Sequence, residues 1–198
     1  MEFKEKIRKI LDEREWKAVD RADLACAAVL IPLYSRGGKR YVLLTKRTNK
    51  VHHHKGQISF PGGRKKEGER LRETALRETK EEVGIKRSQV EILGKLDQVQ
   101  TISNFLVTPY VGIISPPYLF TPNPEEVEEI IEVPLDFLLD ESNVRVGIFH
   151  LQRKSMMSGM ESRYYLYKDH VIWGATARML LKFKEVLGDC LKKEVEHI

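Results

Sequence analysis

The sequence predicts a mixed α/β fold, and three features carry that prediction. Two almost wholly apolar stretches, 24–34 and 41–45, flank a Ser-Arg-Gly-Gly turn, a pattern typical of a buried β-hairpin. The charged stretch 69–83 reads as a helix and precedes Gly84, a residue type that often ends helices. From Trp173 onward, apolar residues recur at helical spacing. Strands and helices are therefore both expected in one chain.

Length and composition describe an ordinary globular domain with a charged surface. The chain has 198 residues, of which 41% are hydrophobic and 32% charged. A net charge of +5 predicts attraction to anionic partners, and a small nucleotide-type substrate is the simplest of them. The basic residues are scattered, which disfavours nucleic-acid binding. Two cysteines, no signal-type segment and no apolar run long enough for a bilayer predict a cytoplasmic protein without a membrane partner.

Hydrophobic periodicity predicts the other elements. An amphipathic first helix is expected over 1–15, within an N-terminal helical extension of 1–20 that precedes the core, 23–190, of a single domain. The proline-rich loop 115–124 is a candidate lid. The remaining expected segments are strands over 90–96, 106–114, 144–151 and 164–167, an apolar stretch over 130–133 and a short helix over 134–139.

The predicted helix 69–83 concentrates carboxylates on one face. At about 100° per residue, Glu78, Glu81 and Glu82 share a broad face with apolar residues, and we expect all three to be half-buried together. Like charges four residues apart repel by roughly 0.2–0.5 kcal/mol even when exposed. A hard divalent cation such as Mg²⁺ between them resolves the repulsion. Glu69 and Arg77 are expected on the solvated side, although Arg77 can brace Glu81 or Glu73 across one turn.

The spacing from Gly63 to Ile85 resembles the Nudix box, G-x5-E-x7-R-E-U-x-E-E-x-G-U, in which U is a bulky aliphatic residue. Thr79 stands where an aliphatic residue is usual, but it faces packing. The alternative, a charged surface helix, explains the composition but not the spacing. The matching residues are Gly63, Glu69, Arg77, Glu78, Glu81, Glu82, Gly84 and Ile85.

This resemblance implies an α/β/α sandwich with a mixed curved sheet, and a hydrolase that uses Mg²⁺ or Mn²⁺. Glu78, Glu81 and Glu82 would hold the metal, with a backbone carbonyl at Gly63 as a further oxygen ligand. One of these three acids, with Glu81 and then Glu78 as the first candidates, would orient or deprotonate the attacking water, and the spacing leaves open which of the three is the base. Arg77 would orient a glutamate.

The stretch before the box is similar to the signature L-L-T-x-R-S-x3-R-x3-G-x3-F-P-G-G of Nudix hydrolases that act on coenzyme A. Two positions depart from it: Thr48 replaces serine, and His52 replaces arginine. Adjacent side chains point to different sides, so His52 to His54 cannot all reach one ion, which disfavours a metal site and leaves a solvated loop as the other alternative. The matching residues are Leu43, Leu44, Thr45, Arg47, Gly56, Phe60, Pro61, Gly62 and Gly63.

Candidate substrate-binding residues follow from this second resemblance. Arg47 offers a bidentate fork to phosphate, whereas His52 carries positive charge only in part at neutral pH. Gly62 and Gly63 allow close backbone approach. Glu126, in a stretch that resembles the family's N-P-x-E-V segment, is a candidate for one further acid.

The two resemblances together predict hydrolysis of the diphosphate bond of coenzyme A or its thioesters, giving 3′,5′-ADP and 4′-phosphopantetheine. ADP-ribose, dinucleotides and nucleoside triphosphates are alternative substrates, because the box specifies the diphosphate and not its substituents. A non-catalytic nucleotide-sensing Nudix domain would tolerate the loss of a metal acid, and none is lost here. The sequence predicts no particular oligomeric state.

Overall fold

The computed structural model describes residues 3–16, 18–19, 21, 23–48, 56–153 and 156–195. The helices are Phe3–Glu13 (α1), Leu71–Val83 (α2), Leu135–Leu139 (α3) and Gly174–Val195 (α4). The strands are Ala25–Arg36 (β1), Lys39–Arg47 (β2), Ile58–Ser59 (β3), Gly62–Arg64 (β4), Val90–Lys95 (β5), Val99–Gln100 (β6), Phe105–Ile114 (β7), Val127–Pro134 (β8), Val144–Arg153 (β9), Met156–Tyr167 (β10) and His170–Ile172 (β11).

Strand β1 is the centre of the main sheet. It pairs antiparallel with β2, where Leu33 lies opposite Val42, and parallel with β7 along nine residue pairs. β5 extends the sheet beyond β7, and β8 extends it beyond β2. β4 pairs antiparallel with β1, placing Gly62 opposite Val29. The predicted hairpin is confirmed, and the sheet is mixed.

Helices cover both faces of this sheet. On one face, Leu76 of α2 packs with Leu30 and Ile92. The other face carries α1, α3 and α4, whose buried side chains include Ile7 and Phe183. The predicted α/β/α arrangement is therefore confirmed. None of the helices in the described part of the chain is both long and apolar enough to cross a bilayer.

A second, three-stranded antiparallel sheet has the order β11-β10-β9. β10 is much longer than the predicted strand 164–167. Its sequence from Ser158 to Arg163 is mostly polar or small, so apolar alternation does not mark it. The pairing to β9, with Ser162 opposite Gly147, makes this stretch a strand.

The first helix is docked against β5. The register of β5 shifts between Ile92 and Gly94, and a Cβ built at Gly94 would lie 2.6 Å from Cβ of Leu11. Arg8 forms an ion pair with Glu91 at 2.6 Å. Helix α1 therefore packs on the domain, as its apolar spacing predicts.

The proline-rich loop 115–124 contacts the body of the domain through aromatic rings and backbone hydrogen bonds, and its role as a lid stays a prediction. The ring of Tyr34 lies 5.2 Å from that of Tyr118 and 5.1 Å from that of Phe120, centroid to centroid. The Thr121 N–H donates to the carbonyl of Val83 at 3.0 Å, which joins the loop to the end of α2.

Candidate active site

Helix α2 begins and ends on local signals. At its start, the Arg70 N–H donates to the carboxylate of Glu73 at 3.2 Å. At its end, Gly84 has a left-handed φ of 76°, and its N–H donates to Lys80 O at 3.1 Å. The helix starts two residues later than predicted. Glu69 precedes it, and its side chain accepts a hydrogen bond from the Thr74 hydroxyl at 2.8 Å.

Arg77 lies at the centre of an ionic network. Its guanidinium contacts Glu69 at 2.8 Å, Glu78 at 2.6 Å and Glu81 at 2.8 Å. It also donates to the carbonyl of Arg64 at 3.2 Å. The hydrogen bond from Arg77 is the main reason that the pKa of Glu69 falls to about 2. These are the contacts of a residue that orients acids.

The expectation that Glu69 and Arg77 face solvent is wrong, since their side chains are only 14% and 20% exposed. The only feature of the sequence that links Glu69 to Arg77 is the Nudix box pattern, which includes both residues. Helical periodicity could not pair them, because Glu69 lies before the helix and folds back onto it.

The three box acids differ in burial. The side chains of Glu82, Glu78 and Glu81 are 4%, 14% and 44% exposed, so the expected half-burial describes Glu81, whereas Glu78 and Glu82 are buried more deeply than predicted. The helical angle explains the order, because Glu82 and Glu78 are about 40° apart around the axis whereas Glu81 is about 100° from Glu82. Only part of their shared face meets the sheet.

Glu82 is buried in an environment that disfavours its charge. Its Oε2 has no hydrogen-bond partner among the described residues. Loss of solvation raises its pKa to about 8, and nearby Glu78 and Glu126 add to the shift. The Arg47 guanidinium, 3.9 Å from Glu82 Oε1, and the backbone of Gly62 oppose it. Arg47 Nε is likewise buried without a partner in the described part of the chain.

Strand β4 passes directly beside the acids, and its glycines make this possible. A Cβ built at Gly63 would lie 2.6 Å from the carboxyl carbon of Glu78, and one at Gly62 would lie 2.6 Å from Cα of Val29. Burial raises the pKa of Glu78, against the effect of its hydrogen bond to Arg77.

Glu126 joins this cluster from the start of β8. Its carbonyl accepts a hydrogen bond from the Thr48 N–H at 3.0 Å, which fixes it beside the end of β2. Its charge acts on both Glu78 and Glu82. His52, with its two neighbouring histidines, lies outside the described residues. The candidate residues that the structure brings together are Arg47, Gly62, Gly63, Arg77, Glu78, Glu81, Glu82 and Glu126.

Comparison with known proteins decides the family. The model of the NUDIX domain matches residues 25–149. The chain belongs to the Nudix family. It is 39% identical over 168 residues to an uncharacterized Nudix hydrolase, NudL, of Pectobacterium atrosepticum, with 82% of this chain and 83% of the relative covered. It is 36% identical over 170 residues to Nudix hydrolase 3 of Caenorhabditis elegans, with 77% and 69% covered.

Solved structures show the same fold. A MutT/nudix family protein from Enterococcus faecalis superposes with a TM-score of 0.55 at 16% identity, over 92% of this chain and 69% of that one. A protein from Deinococcus radiodurans gives 0.52 at 14% identity, over 79% and 81%. At these identities the likeness concerns the fold alone. By its sequence relatives, the chain is a Nudix hydrolase, an enzyme that acts on pyrophosphate bonds.

Nudix hydrolases generally use divalent cations such as Mg²⁺ or Mn²⁺. The site fits such an ion, because it offers hard carboxylate oxygens, including the buried and unpartnered Oε2 of Glu82. Within the described ranges, no three His, Cys, Asp or Glu side chains already form a metal cage. Arg77 holds Glu78 and Glu81 instead.

Proposed function

We propose that this Nudix hydrolase cleaves the diphosphate bond of coenzyme A or its thioesters, releasing 3′,5′-ADP and (acyl-)4′-phosphopantetheine. The observation that carries the proposal is the position of Arg47. This residue belongs to the segment that resembles coenzyme A hydrolases, and its guanidinium lies 3.9 Å from the buried carboxylate of Glu82. A guanidinium so close to the acids that would bind the metal could bind the phosphates of a substrate whose diphosphate contacts that metal.

The proposed reaction is attack of water on one phosphorus, with breakage of the bridging P–O bond. Mg²⁺ or Mn²⁺, held by Glu78, Glu81, Glu82 and the carbonyl of Gly63, would neutralise charge on the diphosphate and acidify a bound water. Glu81 is the acid most open to solvent and is our choice for accepting the water's proton, with Glu78 as the alternative.

The other residues bind and orient. Arg77 fixes the carboxylates of Glu78 and Glu81 by hydrogen bonds of 2.6 and 2.8 Å. Arg47, His52 and the backbone at Gly62 would hold the phosphates. Glu126 would serve as an additional acid at the substrate side of the cluster.

The test is release of 3′,5′-ADP from coenzyme A with Mg²⁺ or Mn²⁺, beside ADP-ribose, NADH and a nucleoside triphosphate at equal concentration. Glu81→Gln and Glu82→Gln should each lower turnover by about 100-fold, because each removes an oxygen from the acid cluster. Glu67→Gln is the matched control. It removes an exposed carboxylate just before the helix and should leave turnover unchanged.

A preference for coenzyme A that both cluster variants abolish supports the proposal. Preferred turnover of ADP-ribose, a dinucleotide or a triphosphate would be consistent with the metal site but would refute coenzyme A as the substrate. It would indicate that His52, in place of the arginine of the coenzyme A signature, changes the specificity. No metal-dependent turnover of any compound would favour a nucleotide-sensing domain.

A further inference from the structure

The turn 123–126 connects three parts of the site through its backbone. The Asn123 N–H donates to the carbonyl of Glu82 at 2.9 Å, which attaches the turn to α2. The carbonyl of Asn123 accepts from the N–H groups of Glu126 at 3.0 Å and Val127 at 2.7 Å. The carbonyl of Glu126 in turn accepts from Thr48, the residue after Arg47. Glu126 is therefore held on both sides.

The side chain of Asn123 organises the same turn. Its Oδ1 accepts a hydrogen bond from the Glu125 N–H at 3.2 Å. Asparagine at the first position of a turn and proline at the second both favour this geometry, since Asn can bond the backbone two residues on and Pro124 fixes φ. The sequence Asn123-Pro124-Glu125-Glu126 thus encodes the turn locally.

This fixed turn holds Glu126 beside the acid cluster. At one end, the hydrogen bond from the Asn123 N–H to the carbonyl of Glu82 ties the turn to the helix that bears the box acids. At the other end, the hydrogen bond from the Thr48 N–H to the carbonyl of Glu126 ties it to the residue after Arg47. These two attachments keep Glu126 between the helix and Arg47, where its negative charge acts on the cluster.

We propose that Asn123 is a positioning residue, which acts through Glu126 to set the affinity of the acid cluster for its divalent cation. The proposal rests on the proposed function, because it assumes that the cluster binds the catalytic ion. A partner one step removed from a metal site typically changes metal affinity by roughly 10–100-fold when it is mutated.

The experiment measures Mn²⁺ binding to the whole protein without substrate, by electron paramagnetic resonance, and the Mn²⁺ activation constant for turnover. Asn123→Ala removes the Oδ1 acceptor and should weaken both about tenfold, with little change in KM for the substrate. Asn123→Ser keeps an acceptor for the same N–H and should recover most of the loss. A merely structural role would lower thermal stability without this recovery of Mn²⁺ affinity.

A double mutant tests the path of the effect. Glu126→Gln should weaken Mn²⁺ binding about tenfold. The N123A/E126Q double variant should bind Mn²⁺ no more weakly than E126Q alone, because both substitutions remove the same interaction, that of the Glu126 carboxylate with the ion site. Asp140→Ala is the matched control. It removes a similar bond, from the Ser142 N–H to Asp140 Oδ1 at 2.8 Å, in the connection between α3 and β9, and should leave Mn²⁺ binding unchanged.

Mn²⁺ binding by N123A equal to that of wild type, or losses that multiply in the double variant, would overturn the proposal. If wild type turns over coenzyme A while N123A behaves normally, only the role of Asn123 is refuted. If wild type shows no metal-dependent turnover, the proposed function fails with it. Should N123A not fold, Pro124→Ala loosens the same turn and should show a smaller loss in the same direction.

Discussion

Among single residues, Glu82 has the least favourable environment in the site. Burial raises the pKa of its carboxyl from 4.5 to about 8, so the folded, metal-free protein binds this proton more tightly than the unfolded chain does. The stability that protonation confers is therefore complete below about pH 4.5. It is lost progressively as pH rises through about 8.

We predict that the free energy of unfolding, measured with a metal chelator present, falls between pH 5 and pH 8. Glu82 should contribute up to ~1.4 kcal/mol per pH unit to this fall. Glu82→Gln should remove that contribution, because the amide is neutral throughout. Urea titrations at several pH values measure the slope. Glu81→Gln, at an exposed acid, should keep the wild-type slope, and an unchanged slope in E82Q would contradict this account.

The close approach of Gly63 to Glu78 gives a second prediction. Gly63→Ala places a Cβ 2.6 Å from the Glu78 carboxyl carbon, so the carboxylate must move. A displacement near 1 Å in a catalytic cluster lowers turnover by about 100-fold. Steady-state kinetics in Mg²⁺ measure it. Gly68→Asn is the control, since that glycine has a φ of 73°, which Asn tolerates, and open space around it; G68N should keep near-normal turnover.

Much of the residue-level site could be predicted from spacing, but its burial and partners could not. The box residues are close together because they lie on one helix and the strand beside it. The contact between Arg77 and Glu69 depends on how the loop before the helix folds back, and the order of burial depends on how α2 rests on the sheet. Both are tertiary properties that helical periodicity does not contain.

At the level of elements, the last turn of α2 depends on Gly84. Its φ of 76° suits glycine, and a Cβ there would lie 3.2 Å from Cβ of Thr121. We predict that Gly84→Ala lowers the free energy of unfolding by about 1–2 kcal/mol, measured by urea titration. Gly188→Ala is the matched control in α4, where the nearest atom is Lys184 Cγ at 3.7 Å. It should raise stability by about 0.5–1 kcal/mol; a loss equal to that of G84A would refute the conformational argument.

The elements that sequence predicted best are those with local signals. The β1–β2 hairpin, α2 with its glycine stop, and α4 all have apolar patterns or caps that need no distant contact. β10 extends beyond its predicted limits, and β8 forms where only an apolar stretch over 130–133 was expected. Pairing with β9 and β2 makes strands of residues that alternation does not mark. The contacts of Tyr118 and Phe120 in the loop 115–124 to Tyr34 could not be predicted, because they join residues far apart in the sequence.

For the whole molecule, the matched family segment leaves out two helices that contribute side chains to the core. Residues 25–149 lack α1 and α4, which supply Ile7, Leu11, Phe183 and Leu187 to the core on one face of the sheet. We predict that this segment alone does not unfold cooperatively, because it exposes that face. Urea unfolding followed by circular dichroism compares it with the full chain. A single sharp transition at the full chain's midpoint would contradict the prediction.

The contact between α1 and β5 has a consequence for how the N-terminal segment is attached. The register shift in β5 lies next to Gly94, and because this glycine has no side chain, the side chain of Leu11 packs directly against its backbone. Any side chain at position 94 would occupy the space of Leu11 and push the helix away from the sheet. A single added methyl group at position 94 would thus weaken the packing of α1 on β5, although the ion pair between Arg8 and Glu91 would still join the two elements.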